Sequence, residues 1–194
     1  HLASVVVPIC HEMARVIVRE GLCPPAKVRV VGAGSSAGVD LARFTRNQQY
    51  LRFARRFREK LGIAPEALVV LFVGWLRREK GTNELVRAFV RLARKYPRLH
   101  LLLLGNYEYS DPLRPRVVRL IENHPRIHHH PWQVEPAPFY AAADIVVLPS
   151  YREGFGNVAM EASAMELPVV ASDIMGCRES VRDGITLSLI HISE

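Results

Sequence analysis

Four short apolar runs, Leu68–Val73, Leu99–Leu104, Ile145–Leu148 and Val169–Ala171, recur along the chain with stretches of helical periodicity between them. After the first run Leu85, Phe89, Leu92 and Tyr96 follow at spacings of four, three and four; after the third come Val158, Ala162 and Met165. Leu68–Val73 is apolar at every position, not at alternate ones, as a strand covered on both faces should be, and that is the signature of a parallel strand between layers of helices. The repeated β-α order predicts an α/β fold, a Rossmann-like parallel sheet flanked by helices. Ligands of such sheets bind in the loops beyond the carboxyl ends of the strands.

The most informative loop lies between Asp144 and Asp173. Pro149 and Ser150 close the strand, Tyr151-Arg152-Glu153-Gly154-Phe155-Gly156-Asn157 form the loop, and the helix with Val158, Ala162 and Met165 follows. Glycines before a helix let backbone N–H groups approach an anion, and phosphate is the expected guest. Glu153 and Glu161 frame that site. At about 100° per residue, Glu161 falls about 60° from Val158, close to the face that packs on the sheet. A bare carboxylate there is costly and calls for a hydrogen-bonding partner; the vicinal hydroxyls of a ribose would serve, because an ionised carboxylate only accepts. Taken singly, each glutamate reads equally well as an ordinary solvated or half-exposed charge.

A second βα loop, Gly74-Trp75-Leu76-Arg77-Arg78-Glu79-Lys80-Gly81, holds three cations that face the same cleft if the sheet is parallel. Upstream, Val5 to Gly21 reads as the end of a strand and a helix, and Val28 to Val31 as a short strand. The stretch from Gly32 to Gly38 fits neither dinucleotide nor P-loop spacing and reads as a hinge between lobes. Residues 43–61 form a basic amphipathic helix, with Tyr50, Phe53, Ala54, Phe57 and Leu61 on one face and Arg52, Arg55, Arg56 and Lys60 on the other. Its charged face is either simply solvated or a dock for anionic lipid head groups. His128, His129 and His130 lie in a predicted strand, where neighbours point to opposite faces, so they do not converge on one metal.

With 194 residues, 49% of them hydrophobic, the chain can bury a good-sized core, and its apolar runs are too short for a membrane span. A net charge of +7 points to an anionic partner: nucleotide phosphate, membrane surface or nucleic acid. Three cysteines without paired spacing suit a reducing cytosol better than a disulfide framework. A start at His1 without methionine or signal pattern reads as a fragment. No nucleophilic triad or nucleic-acid recognition motif is present.

These motifs together resemble the C-terminal, donor-binding half of retaining family 4 glycosyltransferases of the GT-B fold, similar to bacterial enzymes of capsule, lipopolysaccharide and lipid-linked oligosaccharide assembly. The resemblance runs from about Val5 to Thr186. It rests on Pro149-Ser150-Tyr151-Arg152-Glu153-Gly154-Phe155-Gly156 through Glu161, on Pro168-Val169-Val170-Ala171, on Gly176-Cys177-Arg178-Glu179, and on Gly32 through Asp40 and Val73-Gly74 through Lys80-Gly81. It implies a sugar donor linked to a nucleoside diphosphate, expected to be UDP, and transfer to a glycan or lipid-linked acceptor with retention and without metal or cofactor. Glu161 would bind the ribose and Glu153 sit by the transferred sugar; the backbone at Gly154, Phe155, Gly156 and Asn157 would hold sugar hydroxyls and the distal phosphate. Lys80 would neutralise the pyrophosphate as it leaves. Trp75 stands where the family often has arginine, and Arg77 or Arg78 would substitute. By the same resemblance residues 1–42 are the end of an acceptor lobe and the interlobe linker, 43–186 an incomplete donor domain, truncated at both ends, and 187–194 a tail outside the family. The location implied is cytoplasmic, at the inner membrane if the basic helix docks there. A non-catalytic nucleotide-sugar-binding module is the alternative, and a GT-B phosphorylase lacks its cofactor lysine context.

Overall fold

A six-stranded sheet forms the centre of the molecule in the computed structural model, which describes residues 3–35, 37–180 and 187–190. Its strands are β1 (Leu68–Val73), β2 (Leu99–Leu104), β3 (Ile127–His130), β4 (Ile145–Leu148), β5 (Val169–Ser172) and β6 (Leu187–Ile190), in the order β3-β2-β1-β4-β5-β6. Every pairing is parallel. The chain moves outward from β1 through β2 to β3, then returns to the other side of β1 with β4. That reversal opens a crevice above the carboxyl ends of β1 and β4, the usual place for a ligand in such sheets.

Helices α1 (His11–Arg19), α2 (Gln48–Lys60), α3 (Thr82–Lys95), α4 (Pro115–Asn123), α5 (Ala137–Ala141), α6 (Asn157–Ala164) and α7 (Met175–Ser180) complete the fold. Alternation along the strands divides the core in two. Leu71, Val73, Leu102, Leu104, Val146 and Leu148 are buried on one face with Ala54 of α2, Tyr140 of α5 and Ala159 and Ala162 of α6. Phe72, Leu101 and Leu103 are buried on the other with Val86 and Phe89 of α3 and Val117 and Ile121 of α4. Among the described residues no helix is long and apolar enough to cross a membrane.

Three local expectations differ from the structure. The basic helix starts at Gln48, not at 43, because Asn47 is extended and its side chain caps the helix by accepting from the Tyr50 N–H at 2.8 Å. The strand expected over 28–31 reduces to one parallel bridge between Val28 and Val6, the short 3-10 turn Pro25–Lys27 having set its direction. Residues 187–190, expected as part of a foreign tail, pair with β5 from Val169↔Leu187 to Ser172↔Ile190. They satisfy an edge whose backbone groups would otherwise stand open.

The amino-terminal piece is fastened to the domain. The Glu179 carboxylate of α7 accepts from the backbone N–H groups of His11, at 2.7 Å, and Glu12. It thus caps α1 from another element, beside the local cap from Cys10 Sγ.

Candidate functional site

Two loops meet above β1 and β4. After Val73 the chain turns through Gly74 and Trp75; Leu76 is fully buried and its N–H bonds the Asn106 carbonyl at 2.8 Å, tying this loop to the one after β2. The 3-10 turn Arg78–Lys80 ends at Gly81, whose φ is 69° and where a Cβ would overlap the Pro149 carbonyl. Only glycine lets the loop after β1 press this closely on the loop after β4. The Tyr151 N–H then donates to the Glu79 carbonyl at 2.9 Å, and the two loops are locked in register.

Lys80 and Glu153, 73 positions apart, meet as a result: Lys80 Nζ donates to Glu153 Oε1 at 2.6 Å, with side chains only 18% and 13% exposed. Ser150, fully buried, donates its hydroxyl to the same oxygen at 2.7 Å. Beyond Glu153, a Cβ at Gly154 would stand 2.5 Å from Ile9 Cδ1, and one at Gly156 2.5 Å from Ser180 Oγ. Gly156 caps α6 without a side-chain hydrogen bond, so the amino end of that helix is free of a competing carboxylate or hydroxyl cap.

Glu161 lies one turn into α6. Its Oε2 accepts from the Tyr140 hydroxyl at 2.5 Å. Burial raises the Glu161 pKa, opposed by the Tyr140 hydrogen bond and by Arg43. Tyr140, fully buried, is pushed well above the usual phenol range by burial and then by the neighbouring carboxylate. The partner that the sequence demanded for Glu161 is therefore already present on one oxygen, in the protein itself.

Lys80, Glu153, Phe155, Gly156, Asn157 and Glu161 all line a single cleft of about 390 Å³. Gly154 borders a neighbouring cavity that Lys80 and Glu153 also line. Arg77 and Arg78 do not line the cleft. Arg77 pairs with Glu79 at 2.8 Å and borders the neighbouring cavity, and Arg78 pairs with Asp111 at 2.7 Å. Three cleft residues were invisible as such in the sequence: Trp75, seen there only as a departure, and Asn106 and Trp132 from the loops after β2 and β3. Both tryptophans are half exposed, and the Trp132 N–H donates to Asn106 Oδ1 at 3.0 Å. Their only signal is position directly after a strand. The histidines diverge as expected: His128 faces His100 at 3.0 Å, His129 meets the Gly105 carbonyl and His130 that of Pro131.

A parallel sheet of this order, with a lysine loop and a glycine loop closing on one crevice, is the Rossmann-like half of a GT-B protein. The chain belongs to the group 1 glycosyltransferases: the family "Glycosyl transferases group 1" matches residues 53–193. It is 38% identical over 176 residues to the D-inositol 3-phosphate glycosyltransferase of Actinosynnema mirum, covering 86% of this chain and 40% of the relative. To the capsular polysaccharide biosynthesis glycosyltransferase CapM of Staphylococcus aureus it is 27% identical over 184 residues, covering 95% of this chain and 47% of the relative. The chain thus spans less than half the length of either. Anabaena HepE, solved in complex with UDP-glucose, shares the fold with a TM-score of 0.82, over 99% of this chain and 51% of that one at 23% identity.

Proposed function

We propose that this chain is the donor-binding half of a glycosyltransferase that takes a sugar from UDP and passes it, with retention of configuration, to a glycan or lipid-linked acceptor. The observation that carries the reading is the meeting of Lys80 with Glu153 in the cleft that also holds Glu161. Each group has a separate task. Glu161 offers its second oxygen to the ribose hydroxyls. The backbone around Gly156 and Asn157, at the positive end of α6, receives the distal phosphate once their N–H groups leave the carbonyls of Gly176 and Phe155, which they bond at 3.0 and 2.8 Å. Lys80, on releasing Glu153, neutralises the charge that grows on the leaving diphosphate, and so lowers the barrier rather than merely tightening binding. Glu153, freed in the same exchange, accepts from a hydroxyl of the transferred sugar. Trp75 and Trp132 offer flat apolar surface for the base. In this reading the positive charge for the diphosphate comes from Lys80 and the helix end, with no metal required. The three cysteines are free and buried, which suits a reducing compartment and a cytoplasmic setting.

Calorimetric titration with UDP, GDP, uridine and duplex DNA at two salt concentrations tests this. UDP is expected to bind, with Glu161→Ala weakening UDP and uridine alike by roughly 10- to 100-fold, the loss of a charge-assisted contact. Lys80→Ala should weaken UDP and leave uridine unchanged. Absence of nucleotide binding, or a preference for DNA with steep salt dependence, would overturn the reading; tighter GDP would reassign the base.

A further inference from the structure

Arg52, Arg56 and Lys60 recur every four residues on α2 and therefore stand in one row, about 6 Å apart along the helix axis. All three are exposed. Among the described residues none of them is in an ion pair, whereas Arg43, Arg58, Arg78 and Arg87 each have a carboxylate. Like charges at this spacing work against a helix, and nothing in the described structure compensates them. The row walls a groove of about 690 Å³. Its floor is aromatic: Phe139 of α5 meets Phe53 and Phe57 edge-on, with ring centres 5.2 and 5.1 Å apart. The carboxylate that borders the groove, Glu135, is neutralised by Arg43 at 3.0 Å. Beside it Val134 is 87% exposed, held out by an Arg43 hydrogen bond to its carbonyl.

We propose that this face docks on an anionic phospholipid surface, with head-group phosphates along Arg52, Arg56 and Lys60 and with Val134 entering the boundary between head groups and acyl chains. A row of cations beside a protruding aliphatic residue fits a surface that is negative outside and apolar just beneath. Single-stranded nucleic acid fits less well, since the ring faces that bases would stack on are occupied by one another. Lys80, Glu153 and Glu161 do not line the groove, so this proposal and the nucleotide reading stand or fall separately.

Sedimentation with vesicles tests it, using phosphatidylcholine alone and phosphatidylcholine with about a third phosphatidylglycerol. The chain should sediment with the anionic vesicles and stay in solution with the neutral ones. The triple variant Arg52→Gln, Arg56→Gln, Lys60→Gln should lose partitioning by roughly a hundredfold, about fivefold per charge. A control triple of equal charge change on α3, Arg91→Gln, Arg94→Gln, Lys95→Gln, should keep most of it. Val134→Asp, at a site too exposed to disturb folding, should weaken partitioning by itself, and an unchanged circular dichroism spectrum and thermal midpoint would confirm that each variant is folded. Equal loss in both triples, equal binding to neutral vesicles, no binding to either, or displacement from vesicles by duplex DNA at equal phosphate concentration would overturn the proposal.

Discussion

Glu161 holds one oxygen on Tyr140 and takes no hydrogen bond on the other from any described residue. Burial raises its pKa, so in the folded chain the ionised form is disfavoured. A carboxyl with a folded value above its unfolded value favours the fold most when protonated, and that contribution is lost as pH rises through the folded value. Above the ordinary carboxylate range, buried Glu161 therefore works against the stability of the ligand-free chain. Glu161→Gln should raise the Tm of the ligand-free chain by roughly 2–4 °C, about 1 kcal/mol for a chain of this size, while weakening UDP by about tenfold. Thermal scans with and without UDP check both halves. The need for a partner at Glu161 was legible from helical spacing alone. Tyr140 was not, because nothing in the sequence says that the helix before β4 and the helix after it turn those two side chains toward each other.

The strands β2 and β3 are joined by more than their ladder. His100 Nδ1 and His128 Nε2 lie 3.0 Å apart, so one ring donates and the other accepts. Burial, and then the second ring, push His128 down to about 4; burial, then Arg126 and Arg58, lower His100. With folded values below the ordinary 6.5, the stability these histidines contribute is complete above about pH 6.5 and is lost as pH falls toward 4, where the unfolded chain takes up protons that the folded chain refuses. The urea midpoint should fall between about pH 7 and pH 4.5, and His128→Phe should flatten that fall. Periodicity placed β1, β2 and β4 where they are, since runs apolar on both faces have few alternatives. It failed at α2, where a capping side chain, not the apolar pattern, sets the start, and at 28–31, where Val28 alone finds a strand partner.

At the scale of the molecule, the site is a product of strand order. A parallel sheet was enough to turn Lys80 toward the cleft, but its contact with Glu153 required the adjacency of β1 and β4; Asn106 and Trp132 required knowing that β2 and β3 also end at the same crevice. The chain spans less than half of the relatives it matches, and under the proposed function we expect these 194 residues to bind donor without measurable transfer; release of free sugar or transferred product above a Lys80→Ala background would contradict this. The Lys80–Glu153 contact has a further consequence. Lys80 and Glu153 are each other's counter-ions in the cleft, so an anion that draws the lysine away weakens the hold on the carboxylate. An inorganic phosphate satisfies the lysine and leaves a carboxylate that is 13% exposed with the Ser150 hydroxyl alone; a bare sugar offers hydroxyls to the carboxylate and nothing to the charge of the lysine. Only a molecule that joins an anion to a hydroxyl-bearing ring leaves neither unmatched. Under the proposed function, the pair therefore favours a ligand that carries both an anion and sugar hydroxyls over phosphate or sugar alone.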